Sequence, residues 1–164
     1  MPYRYGYERY AMGRGDGKGG YPPGGLIPDQ TYVAVKVRYF PRSGLATRMD
    51  GCIVYGSNTS PTADLVELYT ISGSSAGWNA QTFANSTQYV YLIVKSTESS
   101  EPECAELEFY NAEDVKLTAV TPVYSANYNP SFPATNAFDG NTSTECATDG
   151  TTPAYLGIEV DLTA

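Results

Sequence analysis

The chain has 164 residues, a formal net charge of −8 and no histidine. That length accommodates one domain of ordinary size plus a tail. An acidic body argues against nucleic acid as a partner, because phosphates need a basic face, and against electrostatic docking on anionic membranes; cations and neutral glycans remain. The charge is uneven: residues 1–30 hold four basic and three acidic groups, whereas residues 31–164 hold six and fifteen. No stretch approaches the ~20 apolar residues of a membrane-spanning helix. No amino-terminal apolar segment resembles a signal peptide, so the expectation is a leader already removed or another route out of the cell, as for virion proteins.

Residues 1–30 hold eight glycines, four prolines and five of the fifteen tyrosines, with no period of 2 or 3.6 residues. They read as a flexible tail, or as an assembly arm that orders against a neighbour. Tyr3, Tyr5, Tyr7 and Tyr10 would be its anchors, since tyrosine offers contact area with little side-chain entropy to lose. The RGD at Arg14–Asp16 arises easily by chance in so Gly-rich a segment.

Past residue 30 the signal is β. In TYVAVKVRYF, Val33, Val35 and Val37 share one face and Lys36 and Arg38 the other, the alternation of a half-buried strand. Further strands are read in CIVYGS from Cys52, LVELYTI from Leu65, YVYLIVKS from Tyr89, AELEFYN from Ala105, LTAVTPVYS from Leu117 and YLGIEVDL from Tyr155. Turn clusters separate them: PRSG, SNTSPTAD, SGSSAG, NAED, NYNPSFP and DGNTST. No window keeps helical periodicity. Short strands punctuated this way predict an antiparallel β-sandwich or barrel.

Without histidine, Ser-His and Cys-His nucleophilic pairs are excluded. No Gly-rich phosphate loop follows a strand and opens a helix, and carboxylates such as Glu101 and Glu103 read as solvated charges rather than glycosidase acids. The expectation is a protein that is not an enzyme. Cys52, Cys104 and Cys146 are odd in number: one disulfide plus a free thiol fits, and so do three buried thiols. The lack of CxxC argues against structural zinc. Asn58, Asn85 and Asn141 head N-x-S/T sequons, a weak sign of a secreted glycoprotein. Asp139 sits in a Gly-containing turn with Asn141, Ser143 and Thr144. Such a loop directs carbonyls and one carboxylate at a hard cation, although calcium wants six to eight oxygens and needs a second contribution. Alternatively, Asp139 only caps its turn.

The string ATNAFDGNTSTECATDGTTPAYLGIEVDL resembles the first half of a discoidin domain, also called the coagulation-factor C-type or galactose-binding-like domain. VKVRYFPRSGLATRMDGCIVYGSN resembles its middle and YVYLIVKS…CAELEFY its end. The resemblance covers about residues 31–162 and implies a discoidin-like jelly roll. The order is permuted: residues 31–112 match the family's second half and residues 113–164 its first. Three arrangements follow. The sandwich is a circular permutant closed in one chain, with Asn111–Lys116 joining the old ends. Or each half pairs with a neighbouring subunit, head to tail, into rings or filaments. Or the chain is a fragment of a tandem array.

The resemblance also implies site residues. Ala105, through its carbonyl, and Glu106 would complete a calcium site with Asp139, Asn141 and Thr144. Cys146 stands where the family has Trp, and Cys104 is placed close enough for a Cys104–Cys146 disulfide. Loops at one end would bind glycans, lipids or proteins: Arg42 and Arg48 by paired hydrogen bonds, Tyr39 and Tyr155 by stacking on a sugar, and Asn58 by both donating and accepting. The alternative for the two arginines is intradomain ion pairing. The function expected is a non-enzymatic structural subunit outside the cell, on a cell surface or on a virion. It would self-associate into a fibre, sheath or array, with glycan contact as an addition. The alternative is a calcium-assisted, glycan- or glycoprotein-binding adhesion module acting as a monomer.

Overall fold

The computed structural model describes residues 30–98, 100–150 and 153–163. The tyrosines of the proposed arm, Tyr3, Tyr5, Tyr7 and Tyr10, lie outside the described residues. The alternating segments form eight strands: β1 (Lys36–Pro41), β2 (Ile53–Ser57), β3 (Val66–Thr70), β4 (Asn79–Thr82), β5 (Tyr91–Lys95), β6 (Cys104–Tyr110), β7 (Ala119–Tyr124) and β8 (Tyr155–Val160). They build two antiparallel sheets, ordered β4-β1-β6 and β3-β2-β5-β8-β7. The fold is an all-β sandwich. Its helical content among the described residues is three 3₁₀ turns, Gln30–Tyr32, Ala46–Met49 and Ala134–Phe138, and no helix there is long and apolar enough to cross a membrane.

The pleat places side chains alternately on the two faces of a strand. Val37 and Tyr39 of β1, Leu107 and Phe109 of β6, Val54 of β2, Leu92 and Val94 of β5, and Leu156 and Ile158 of β8 meet in one buried cluster. Strand β4 was not foreseen. Its NAQT sequence is short and polar, and among the described residues it lies at a sheet edge, paired with β1. The expected first strand starts late, because Gln30–Tyr32 is a turn.

The sandwich closes within one chain. β8, from the segment 113–164, inserts between β5 and β7 with Leu92 opposite Ile158 and Val94 opposite Leu156. The predicted joining segment is a tight turn. Leu117 N–H donates to Phe109 O (2.8 Å), and Asp114 takes a left-handed φ of 63°. Asn111 is buried and organises that turn: its Oδ1 accepts from the N–H groups of Glu113 and Val115, and its Nδ2 donates to Thr31 O at 3.1 Å. The start of the described chain is thereby tied to the turn that joins the halves.

Gly157 makes the β5–β8 approach possible. A Cβ there would lie 2.1 Å from the Leu92 carbonyl oxygen and 2.6 Å from Ile93 Cα, contacts that backbone cannot relieve by rotating. Gly157→Ala is therefore expected to destabilise the fold by about 3 kcal/mol, measured by urea unfolding; an unchanged midpoint would mean that β8 does not pack on β5 as described.

Candidate functional site

The site begins with an irregularity in β6. Phe40 pairs with Glu106 and Pro41 with Cys104, so Ala105 is an extra residue opposite none. A bulge of this kind bends the strand and re-aims its side chains. Simple alternation would put Cys104 on the face of Glu106 and Glu108. The bulge instead turns Cys104 into the core with Leu107 and Phe109. Glu106 is only 3% exposed, because the Ala134–Phe138 turn and the loop after it pack against β6.

That loop is held by its own polar groups. Gly140 takes φ 76° at the bend, a conformation that costs glycine nothing sterically. Asp139 Oδ1 accepts from Asn141 N–H (2.8 Å) and Oδ2 from the Thr144 hydroxyl (2.7 Å); Asn141 Oδ1 accepts from Ser143 N–H (3.1 Å). Asp139 thus does cap its turn. Capping does not account for Glu106, whose Oε1 is buried with no hydrogen-bond partner. Burial, the largest cause, raises the Glu106 carboxyl above its ordinary value. The Asn141 backbone N–H, which favours the charged form, opposes the rise, and the adjoining Asp139 carboxyl adds to it, as does Glu108.

The Glu106 carboxyl is buried while the Asp139 beside it is exposed, and a proton on Glu106 or a cation shared with Asp139 would relieve the burial of its charge. The oxygens gathered there are hard donors: Glu106, Asp139, the Thr144 hydroxyl and the Asn141 carbonyl, with Ala105 on the bulge beside them. That set fits calcium by donor type. Among the described residues no three Asp, Glu, Cys or His side chains gather, so neutral oxygens would have to complete the shell.

Next to this loop lies a groove of about 370 Å³ lined by Arg42, Arg48, Glu101, Glu103, Tyr128 and Thr148, among others. An adjoining hollow of about 270 Å³ shares Arg48, Glu101 and Gly150. The arginines are internally paired. Arg48 Nη1 reaches Glu101 (2.9 Å) and Glu103 (3.0 Å), and Arg42 reaches Glu103 (3.4 Å) and Glu145 (3.3 Å) with its guanidinium 4.1 Å over the Phe132 ring. Burial raises the Glu103 carboxyl, and Arg48 and Arg42 pull it back down. Two further features of the groove were not anticipated. Tyr128 is 62% exposed, and the Thr148 hydroxyl is buried with no hydrogen-bond partner. One signal for Tyr128 was available: it is an aromatic inside a turn cluster, NYNPSFP.

The other expected ligand residues do not join them. Tyr39 is fully buried, and its hydroxyl bonds Ser74 Oγ (2.8 Å) and Gln81 Nε2 (3.2 Å); its ring offers nothing to a sugar. Asn58 follows the end of β2 where Ser57 pairs with Tyr91, whereas Arg48 precedes the end where Ile53 pairs with Lys95. It therefore lies at the opposite end of the sheet, its amide spent on Gln88 O (3.2 Å) and Val90 N–H (2.9 Å). Tyr155 starts β8 opposite Lys95, at the groove's end of the sheet, but does not line the groove. Of the sequon asparagines, Asn85 Nδ2 is engaged by Ala34 O and Thr87 O, while Asn141 is exposed in the Asp139 loop. Cys104 and Cys146 are brought together as thiols, their sulfurs 3.8 Å apart.

Comparison with family models, with curated proteins and with solved structures finds no match.

Because Glu106 holds its proton more tightly folded than unfolded, its share of stability is complete below about pH 4.5 and is lost as pH rises through its raised folded value. In chelator, the wild-type Tm is expected to fall as pH rises above about 4.5, with Glu103, also raised, contributing in the same direction. Glu106→Gln should flatten this fall and have the higher Tm at pH 7; an unchanged slope would contradict the assignment.

Proposed function

We propose that the chain is a non-enzymatic binding module of the discoidin kind, working outside the cell or on a cell or virion surface. It binds a neutral, hydroxyl-rich glycan in the Arg42–Arg48 groove. The observation that carries this reading is the buried, unpartnered Thr148 hydroxyl in a groove of paired charges, beside the exposed Tyr128 ring. A buried polar atom without a partner costs free energy, and a shift of the groove wall that uncovered the Thr148 hydroxyl would let a ligand hydroxyl recover it. Alternating guanidinium and carboxylate groups suit hydroxyls, which donate and accept at once. Tyr128 offers a face for the apolar side of a sugar ring. The surplus of carboxylates, with Glu101, Glu103, Glu145 and Asp149 beside two arginines, disfavours acidic sugars.

Calcium at Glu106 and Asp139 would support this groove indirectly. Its chemistry there is to neutralise the two carboxylates and hold the loop that leads through Glu145 to Thr148. The family resemblance of the AFDG loop and the AELEF strand supports the same reading.

A second reading, assembly into a fibre, sheath or array, draws on the edges of the larger sheet. Among the described residues β3 and β7 each lack a neighbour on one side, and they expose Val66 (47%) and Val120 (61%), the kind of edge that pairs with another copy. It is the weaker reading, because the sandwich completes its core within one chain.

Thr148→Val is expected to keep or slightly raise stability, by about 1 kcal/mol at most, while lowering affinity for neutral glycans several-fold. Tyr128→Ala should lower that affinity about tenfold. Glycan-array screening followed by calorimetry checks both, and an array that retains no neutral glycan would overturn the groove's role. Calcium should raise the wild-type Tm and leave that of Asp139→Asn unchanged.

A further inference from the structure

The cysteine pair is used by neither the groove nor the cation site, yet it lies between them. Cys104 opens β6, next to Glu103 and ahead of Glu106; Cys146 lies between Glu145 and the buried Ala147 and Thr148. Both thiols are fully buried, 42 positions apart, with sulfurs 3.8 Å from each other. Cys146 N–H donates to Cys104 O at 2.8 Å. That bond sets the two residues side by side, and the sulfurs need a short approach to reach the disulfide length of about 2.05 Å.

We propose that Cys104 and Cys146 form a disulfide that staples the loop segment 139–150 to β6, closed by exchange with a small-molecule disulfide while the chain folds. One cysteine thiolate attacks the oxidant's disulfide and releases one small thiol. The second thiolate then attacks the resulting mixed disulfide and releases the other. Two protein thiols are oxidised, one oxidant disulfide is reduced to two thiols, and the two protons leave with them. The timing follows from burial. In the folded chain both sulfurs are out of reach of a reagent, and mutual contact and burial raise the Cys104 thiol well above its ordinary value, which starves the reaction of thiolate. The same burial protects the bond from reductants once it is made. Cys52 is the odd thiol. Its sulfur contacts Arg48 O at 3.7 Å, and burial pushes its pKa up to about 12.

The test refolds the full chain from denaturant with oxidised and reduced glutathione or, separately, with dithiothreitol. Non-reducing peptide mapping, intact mass and Tm are then compared. Oxidative refolding is expected to lower the mass by about 2 Da, link Cys104 to Cys146, leave Cys52 open to alkylation, and raise Tm by about 10 °C over the reduced chain. Cys52→Ala should keep both the link and the gain, and Cys146→Ala should lose both. If Cys146→Ala does not fold, the wild-type map and Cys52→Ala decide. Three alkylatable cysteines after oxidative refolding, a link that includes Cys52, or a link with no gain in Tm would overturn the proposal.

Discussion

One end of the sandwich turns on a single electrostatic constraint: the Glu106 carboxyl is buried against Asp139 with one oxygen unpartnered. Burial penalises its charge, and a neighbouring carboxylate penalises it further. Yet the loop that creates this problem is also what covers Cys104 and β6 and leads on to Glu145 and Thr148. A proton on Glu106 relieves that penalty. The calcium proposed above would relieve it in the same way. The same loop thereby couples the edge of the small sheet to the groove.

The groove follows a contrasting logic. Glu103 is as buried as Glu106, but two guanidiniums face it. Removing one member of such a network strands the others, whereas the intact network is close to neutral in its effect on stability. The arginines are thus committed to intradomain pairs and still present donors at the groove wall. What the network leaves unsatisfied is the Thr148 hydroxyl.

Much of this was legible in the residues. Alternation in TYVAVKVRYF and YLGIEVDL placed most strands, and the Asp139 turn stood out by composition. Tyr39 was also legible as core, since it shares the parity of Val37; assigning it to a ligand ran against the strand's own pattern. Other features depend on pairing that no single segment displays. The bulge at Ala105, which sends Cys104 inward, exists only relative to β1. The separation of Asn58 from Arg48 depends on the antiparallel run of β2 against β5. β4 is polar and short, so its place comes from β1 rather than from its own sequence. The hydroxyl of Thr148 is unpaired because of what surrounds it, which local sequence does not encode.

The most direct test of the account is the titration of Glu106 itself, followed by carboxyl-carbon NMR on selectively labelled protein. In chelator, Glu106 should titrate above the ordinary carboxylate value of 4.5. Calcium should shift its resonance at pH 7 and abolish the raised titration. An ordinary titration that calcium leaves untouched would contradict the claim that this carboxylate pair, and what neutralises it, holds the end of the sandwich together.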